Sequence, residues 1–357
     1  MSVRDVTAYS LVNATVRALY STMLTPETWD ALVLVGDFEA VLNVLSKTVY
    51  GPYFEVECDT MSPRRAVYQI KWHLADVYEK LIRLTPEPGR QLLLQLWRLY
   101  EVDNLKATLR GVAAGASWDQ VRHLLCPMAK YTILTTDDIE KMVRSGDVAR
   151  AIQVIRHTSY YDTLVHALAR YQAEGNLFPL EVALDLDYRR ELWQSINQLK
   201  GADHEQALRT VGTVLDTDNL MWAIRYRVYH HLSEQEIINY TLPLGYQVHD
   251  EHIRAIAAGA DIAPLVKRIY PDVDVGQVSA SSGLSGLEVA LQRHVVTMCR
   301  AAFRGYPFHI GVPAAYLLLN ESEIRDLTVL IEAKASHLPL EAFATMLQMQ
   351  SLSPVLC

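Results

Sequence analysis

Cysteine is sparse in this 357-residue chain, and the four present, Cys58, Cys126, Cys299 and Cys357, are scattered with no Cys-x-x-Cys pair. That distribution argues against a disulfide frame or a zinc ribbon and for free thiols in a reducing cytoplasm. Positive charge is short as well: 33 Lys and Arg stand against 41 Asp and Glu, a formal net charge of −8. Phosphate backbones and anionic bilayers are held mainly through clustered Lys and Arg, so the balance speaks against a broad nucleic-acid or membrane surface and leaves room only for a local basic patch. Long apolar runs are missing. The most apolar stretch, "PAAYLLL" at 313–319, falls far short of the roughly 20 residues that a membrane-crossing helix needs. The first residues, "MSVRDVTAYSLVNATVR", carry charges inside their apolar stretch, unlike a signal peptide.

Signatures of chemistry are missing too. "LSKT" at 45–48 lacks the glycines that let backbone N–H groups cradle phosphates, and HExxH, an EF-hand loop and GxSxG are absent. "GLSG" at 283–286 lacks the glycine two residues before Ser285 that a nucleophile elbow requires. His249 and His252, three apart with His230 and His231 upstream, are the best metal candidates. Nothing else at ligand spacing converges on them, so they read as ordinary histidines. The expectation is a protein with no catalytic residue, no cofactor and no metal.

Half of the residues are apolar and 21% are charged, a globular composition at a length that suggests two or three units. Alternating β-branched patterns are hard to find, whereas 3.6-residue periodicity is widespread: Val12, Val16, Leu19 and Met23 share a face, as do Leu105, Thr108, Leu109 and Val112. The chain reads as all-α.

One phrase recurs. "EVDNLKATLR" at 101–110 and "DTDNLMWAIR" at 216–225 match Asp103, Asn104, Leu105 and Arg110 to Asp218, Asn219, Leu220 and Arg225. A weaker third copy in "ESEIRDLTVLIEAKA" puts Glu323, Asp326 and Leu327 in the places of the acid, the Asn and the Leu, with Glu332 in the Arg slot. The apolar stripe after each is in step: Leu105, Thr108, Leu109 and Ala113, then Leu220, Ala223, Ile224 and Val228, then Leu327, Leu330, Ile331 and Ala335. Helix-start signals accompany them in "SWDQ" from Ser117, "SEQE" from Ser233 and "TPET" from Thr25. A second phrase, "GDFEAVLNVLSKTVY" at 36–50, recurs as "GDVARAIQVIRHTSY" at 146–160 and, eroded and carrying Pro264, as "ADIAPLVKRIY" from Ala260.

These periods, 115 residues from Asp103 to Asp218 and 107 from Asn219 to Asp326, exceed the roughly 34 to 47 residues of common helical solenoid repeats. Each copy is therefore a small helical domain, with units at 1–100, 101–215 and 216–357 and loops at 51–65, 84–90 and 275–286. The repeated polar residues have two readings. They present matched groups to a partner, or they satisfy buried backbone groups inside each unit.

In order along the chain, "DNLKATLR", "ALDLDYRRELW" (183–193), "DTDNLMWAIRYR", "LPLGY" (242–246) and "GYPFHIGVPAAYLLLNESEIRDL" (305–327) resemble the C subunit of A/V-type rotary ATPases, the counterpart of the d subunit in the eukaryotic vacuolar enzyme. The resemblance covers about Tyr9 to Leu340; the tail beyond matches nothing. It implies a pseudo-threefold, funnel-shaped helical body that sits as a socket on the cytoplasmic face of the proteolipid ring. The body would receive the tip of a shaft formed by the D and F subunits and rotate with both. It would touch the inner membrane only through the ring, and couple proton or sodium transport without an active site of its own. The other class left open is a free helical-repeat scaffold that binds protein partners.

Overall fold

The structure, a computed structural model, describes residues 3–55, 61–127, 130–275 and 283–349. Every regular element among them is helical. In chain order they are α1 (Val3–Tyr20), α2 (Pro26–Leu34), α3 (Phe38–Leu45), α4 (Gly51–Phe54), α5 (Pro63–Leu84), α6 (Gly89–Ala113), α7 (Trp118–Arg122), α8 (Thr136–Arg144), α9 (Val148–Val154) and α10 (Tyr160–Glu174). There follow α11 (Phe178–Asn197), α12 (Gly201–Ala207), α13 (Thr213–Val228), α14 (Glu234–Asn239), α15 (Asp250–Ala257), α16 (Ile262–Ile269), α17 (Gly283–Ala301), α18 (Gly311–Ala335) and α19 (Leu340–Phe343). A π-helical turn, Leu208–Gly212, runs α12 directly into α13.

The order reduces to three long hairpins separated by small bundles. The hairpins are α5–α6, α11 with α12–α13, and α17–α18. Short helices fill the intervals, α7–α10 after the first and α14–α16 after the second. The second arm of each hairpin packs on the first arm of the next, α6 on α11 and α13 on α17. The last arm, α18, packs on α5, so the chain closes on itself. The helix α18 is buried on most of its faces, Val312 to Leu319 without a break. That central position explains why the most apolar stretch of the sequence lies there. No helix of the described residues is long and apolar enough to cross a membrane.

Local signals account for the element ends. Pro26 opens α2 with Thr25 accepting from the Thr28 N–H at 3.3 Å. The Ser117 and Ser233 N–H groups donate to Gln120 and Glu236 at 2.8 and 3.0 Å, closing capping boxes before α7 and α14. The repeated Gly-Asp is a turn followed by a cap: Asp37 and Asp147 each accept at 2.9 Å from an N–H of the first turn of α3 and α9. Pro264 sits in the first turn of α16, where no helical hydrogen bond is lost.

The apolar stripes behave alike up to the helix ends. Leu105, Thr108 and Leu109, Leu220, Ala223 and Ile224, and Leu327, Leu330 and Ile331 are fully buried. Their fourth members are not, because Ala113, Val228 and Ala335 stand where each helix runs out. Of the expected loops, 84–90 shortens to 85–88, and 51–65 carries α4 at its start and α5 at its end. Residues 276–282, Cys58, Cys357 and the last eight positions lie outside the described residues.

Candidate functional site

The recurring phrase falls on α6, α13 and α18, the second arms of the three hairpins. On each helix it buries two polar side chains three residues apart: Glu101 and Asn104, Asp216 and Asn219, Glu323 and Asp326. All six are at most 2% exposed. A spacing of three puts both on one helical face.

The second member of each pair pins a stretch of chain some 22 residues further on. Asn104 accepts from the Cys126 N–H through Oδ1 at 2.6 Å and donates through Nδ2 to the Cys126 carbonyl at 3.1 Å. Asn219 does the same to Leu242, both bonds 2.8 Å. An amide side chain here mimics a strand neighbour, offering one donor and one acceptor to the carbonyl and N–H of a single residue. At Asp326 the donor is gone, and the pinned chain has changed to match: the carboxylate accepts the Gln348 N–H at 2.9 and 3.0 Å and the Met349 N–H at 2.7 Å. Gln348 and Met349, in the tail that matched nothing in the sequence, are thus the third pinned segment.

The first member of each pair holds a second segment and a tyrosine. Glu101 accepts from the Ile133 N–H and from the Tyr160 hydroxyl, both at 2.8 Å. Asp216 accepts from the N–H groups of Tyr246, Gln247 and Val248 at 2.9, 2.6 and 3.1 Å, with the Tyr270 hydroxyl at 3.5 Å. Glu323 accepts from the Leu24 N–H at 2.9 Å and the Tyr50 hydroxyl at 2.8 Å. Tyr50, Tyr160 and Tyr270 are the tyrosines that end the second repeated phrase. The two phrases therefore meet in space three times, and the third meeting joins α18 to the N-terminal bundle.

Burial sets the electrostatics. It pushes the Glu323 carboxyl up to about 7, against the Tyr50 hydroxyl and the Leu24 N–H. Asp216 and Asp326 rise to about 6 for the same reason, against the backbone N–H groups that pull them down. Glu101 is raised by burial and partly restored by Arg98. Burial and then the facing carboxylate push the Tyr50, Tyr160 and Tyr270 phenols upward.

The more exposed motif residues bridge helices. Asp103 pairs with Lys106 at 3.0 Å, Lys106 with Asp185 of α11 at 2.8 Å, and Asp218 with Arg189 of α11 at 2.9 Å. Arg189 lies over the Trp222 ring at 3.5 Å. One line of charge thus joins α6, α11 and α13. Arg110 reaches Glu181 of α11 at 2.6 Å, and Arg225 reaches Glu288 of α17 at 2.5 Å. Leu105, Leu220 and Leu327 are core residues.

The loop "LPLGY" supplies partners on both sides: Leu242 to Asn219, and Tyr246 to Asp216. A Cβ on Gly245 would overlap Asp216 Oδ1 and the Val248 carbonyl, so only glycine lets this loop approach the carboxylate. His249 and His252 form a start to α15, the His249 N–H donating to His252 Nδ1 at 3.0 Å.

Sequence reasoning missed the roles of Glu101 and Asp216, which read there only as the acid opening the phrase. It also missed Glu181, Glu288 and the charge line through α11. A signal for two of these was present, since Glu181 and Glu288 stand the same thirty-five positions before Asp216 and Glu323.

The buried polar groups of the two recurring phrases tie chain segments to one another, a use that serves the fold. A sequence profile described as ATP synthase (C/AC39) subunit matches residues 12–344. The chain belongs to that family, whose members are structural parts of the enzyme and not its catalytic ones. Among its relatives is the C subunit of the A-type ATP synthase of Methanocaldococcus jannaschii, 23% identical over 354 residues, covering 96% of this chain and 87% of the relative. The proteins of the same name from Methanothermobacter thermautotrophicus and Pyrococcus abyssi are 24% and 22% identical, covering 92% and 90% of this chain and 85% of each relative.

Proposed function

We propose that the chain is the central-stalk adaptor of a rotary A/V-type ATPase or ATP synthase, coupling a D/F shaft to the membrane proteolipid ring. On this reading it lies on the cytoplasmic side of the inner membrane, touches the membrane through the ring, and turns with both partners during proton or sodium transport. Three units surround an axis as a funnel, with α18 lent to the N-terminal unit so that the body has no free end.

The observation that carries the reading is the threefold pinning of loops by Asn104, Asn219 and Asp326. A part that transmits torque has to resist shear between its units, and close-packed helices tied by buried hydrogen bonds pass strain on instead of yielding. A permanent joint to shaft and ring would bury on the order of 2,000 Å² or more. The test is affinity purification from native membranes under conditions that keep the ATPase intact. Recovery of ring and shaft proteins is expected; recovery of the chain alone would instead favour a free helical scaffold.

A further inference from the structure

We propose that a cleft between α5 and α7 binds an acidic segment of a protein partner. The cleft has a volume of about 820 Å³. Its walls carry Arg64 and Arg65 from the first turn of α5, Tyr68 and Trp72 further along that helix, and Trp118 and Arg122 from α7. Arg122 pairs with Asp119 at 3.2 Å. Arg64 and Arg65 form no side-chain hydrogen bond or ion pair among the described residues. Tyr68 and Trp72 meet edge to face at 6.2 Å, an apolar floor beneath the charges.

The same groove exists one unit on, between α11 and α14, and there it is narrower. Thr163, His166, Ala167 and Arg170 of α10 wall it in, leaving about 400 Å³. The counterpart of α10 in the first unit is α4, since Tyr50 and Tyr160 hold equivalent places, and α4 ends at Phe54. Only thirteen positions separate Tyr50 from Pro63, against eighteen from Tyr160 to Phe178, so no second fifteen-residue helix fits.

Charge changes at the same place. Glu181 and Glu288, thirty-five positions before the next motif acid, each accept an arginine from the preceding hairpin. The corresponding position on α5 is Ala66, flanked by Arg64 and Arg65, and the preceding hairpin offers Glu332 where the others have arginine. The first unit thus exchanges an internally paired acid for two guanidinium groups that have no acid partner among the described residues, in a chain of net charge −8.

Guanidinium forks take carboxylates in two-bonded pairs, and aromatic walls accept the apolar side chains between them. A concave, aromatic-floored site suits an extended peptide better than a bilayer, which a chain of this net charge repels. An acidic peptide laid along Arg64 and Arg65 would anchor its protein at this cleft. This inference does not depend on the rotor reading.

The test measures fluorescence anisotropy of a labelled peptide of alternating Glu and Phe, added to the full-length protein in low-salt buffer. Vesicles containing phosphatidylglycerol and a single-stranded DNA oligonucleotide run as separate arms. Saturable peptide binding is expected, weakened about tenfold or more by Arg64→Ala with Arg65→Ala and weakened by added salt. Arg83→Ala, an exposed cation elsewhere on α5, should leave it unchanged, and circular dichroism of both variants checks that they fold. No saturation, equal loss in the Arg83 variant, or binding to vesicles or DNA in preference to the peptide would overturn the proposal.

Discussion

At the scale of single residues, the molecule depends on a few buried polar groups whose donors and acceptors are matched to the backbone groups of a short segment. Asn104 and Asn219 offer one of each; Asp326 offers acceptors only, and its segment presents two N–H groups. Asn104→Ala should therefore leave the Cys126 N–H and carbonyl unpaired and lower stability by about 2–4 kcal/mol. Asn104→Asp should not rescue it, because a carboxylate cannot donate to the carbonyl. At 326 the order reverses, with the native Asp more stable than Asn, and urea denaturation of the set reads both comparisons.

Protonation belongs to this scale as well. Glu323 is raised from 4.5 to about 7, and Asp216 and Asp326 from 3.8 to about 6, all by burial. Between those limits the folded chain keeps protons that the unfolded chain has released, so stability falls as pH rises. The contribution is fully present below about pH 4 and is lost as pH passes through about 6 and 7. Burial lowers His73, His252, His294 and His309, and these act in the opposite sense over the same range, so the test compares variants. The urea midpoint of the native chain relative to Glu323→Gln, which has no proton to lose there, should decline from about pH 5 to about pH 7.5. A native-minus-variant difference that rises across this range would contradict the assignment.

At the scale of elements, each motif helix ends in a left-handed residue: Gly115 after α6, His231 after α13 and His337 after α18, with φ of 66°, 50° and 53°. The following N–H groups of Ala116 and Leu338 return to Gly111 and Ala333 at 2.9 Å, the bond that closes this kind of helix end. Glycine adopts this backbone without strain, whereas a histidine is strained there by its Cβ. His337→Gly should stabilise the protein by about 1 kcal/mol, and a fall in the thermal midpoint would show that the His337 side chain does more than end a helix.

Elements were the most legible level of the sequence. The capping residues Thr25, Ser117 and Ser233, and the stripes after each motif, depend on neighbours within one or two helical turns, which a sequence displays directly. The Arg110 and Arg225 partners are 71 and 63 residues away, and no local pattern reports such distances. Asp326 aligns with Asn104, but its bond to Gln348 and Met349 is hidden in the sequence because the tail repeats no phrase of the other units. A backbone N–H carries no signature in the side chain, so any segment can be the one that is pinned.

At the scale of the whole molecule, closure is the feature least visible from sequence. Glu323 meets Leu24 and Tyr50 across 299 and 273 residues, and the Lys334 ammonium donates to the Val33 carbonyl at 2.7 Å. Linear spacing groups the third motif with residues 216–357, yet its helix is tied to the N-terminal bundle. Among the described residues each hairpin packs on the next and the last on the first, so shear between units has to break contacts on both sides of a unit.

Whether this body turns in the assembled complex decides its role. The direct measurement attaches a fluorescent particle to this chain while the catalytic head is held on a surface and supplied with ATP. Stepwise rotation of the particle together with the shaft is the predicted result. A particle that stays fixed while the shaft turns would place the chain on the stationary part and contradict the account.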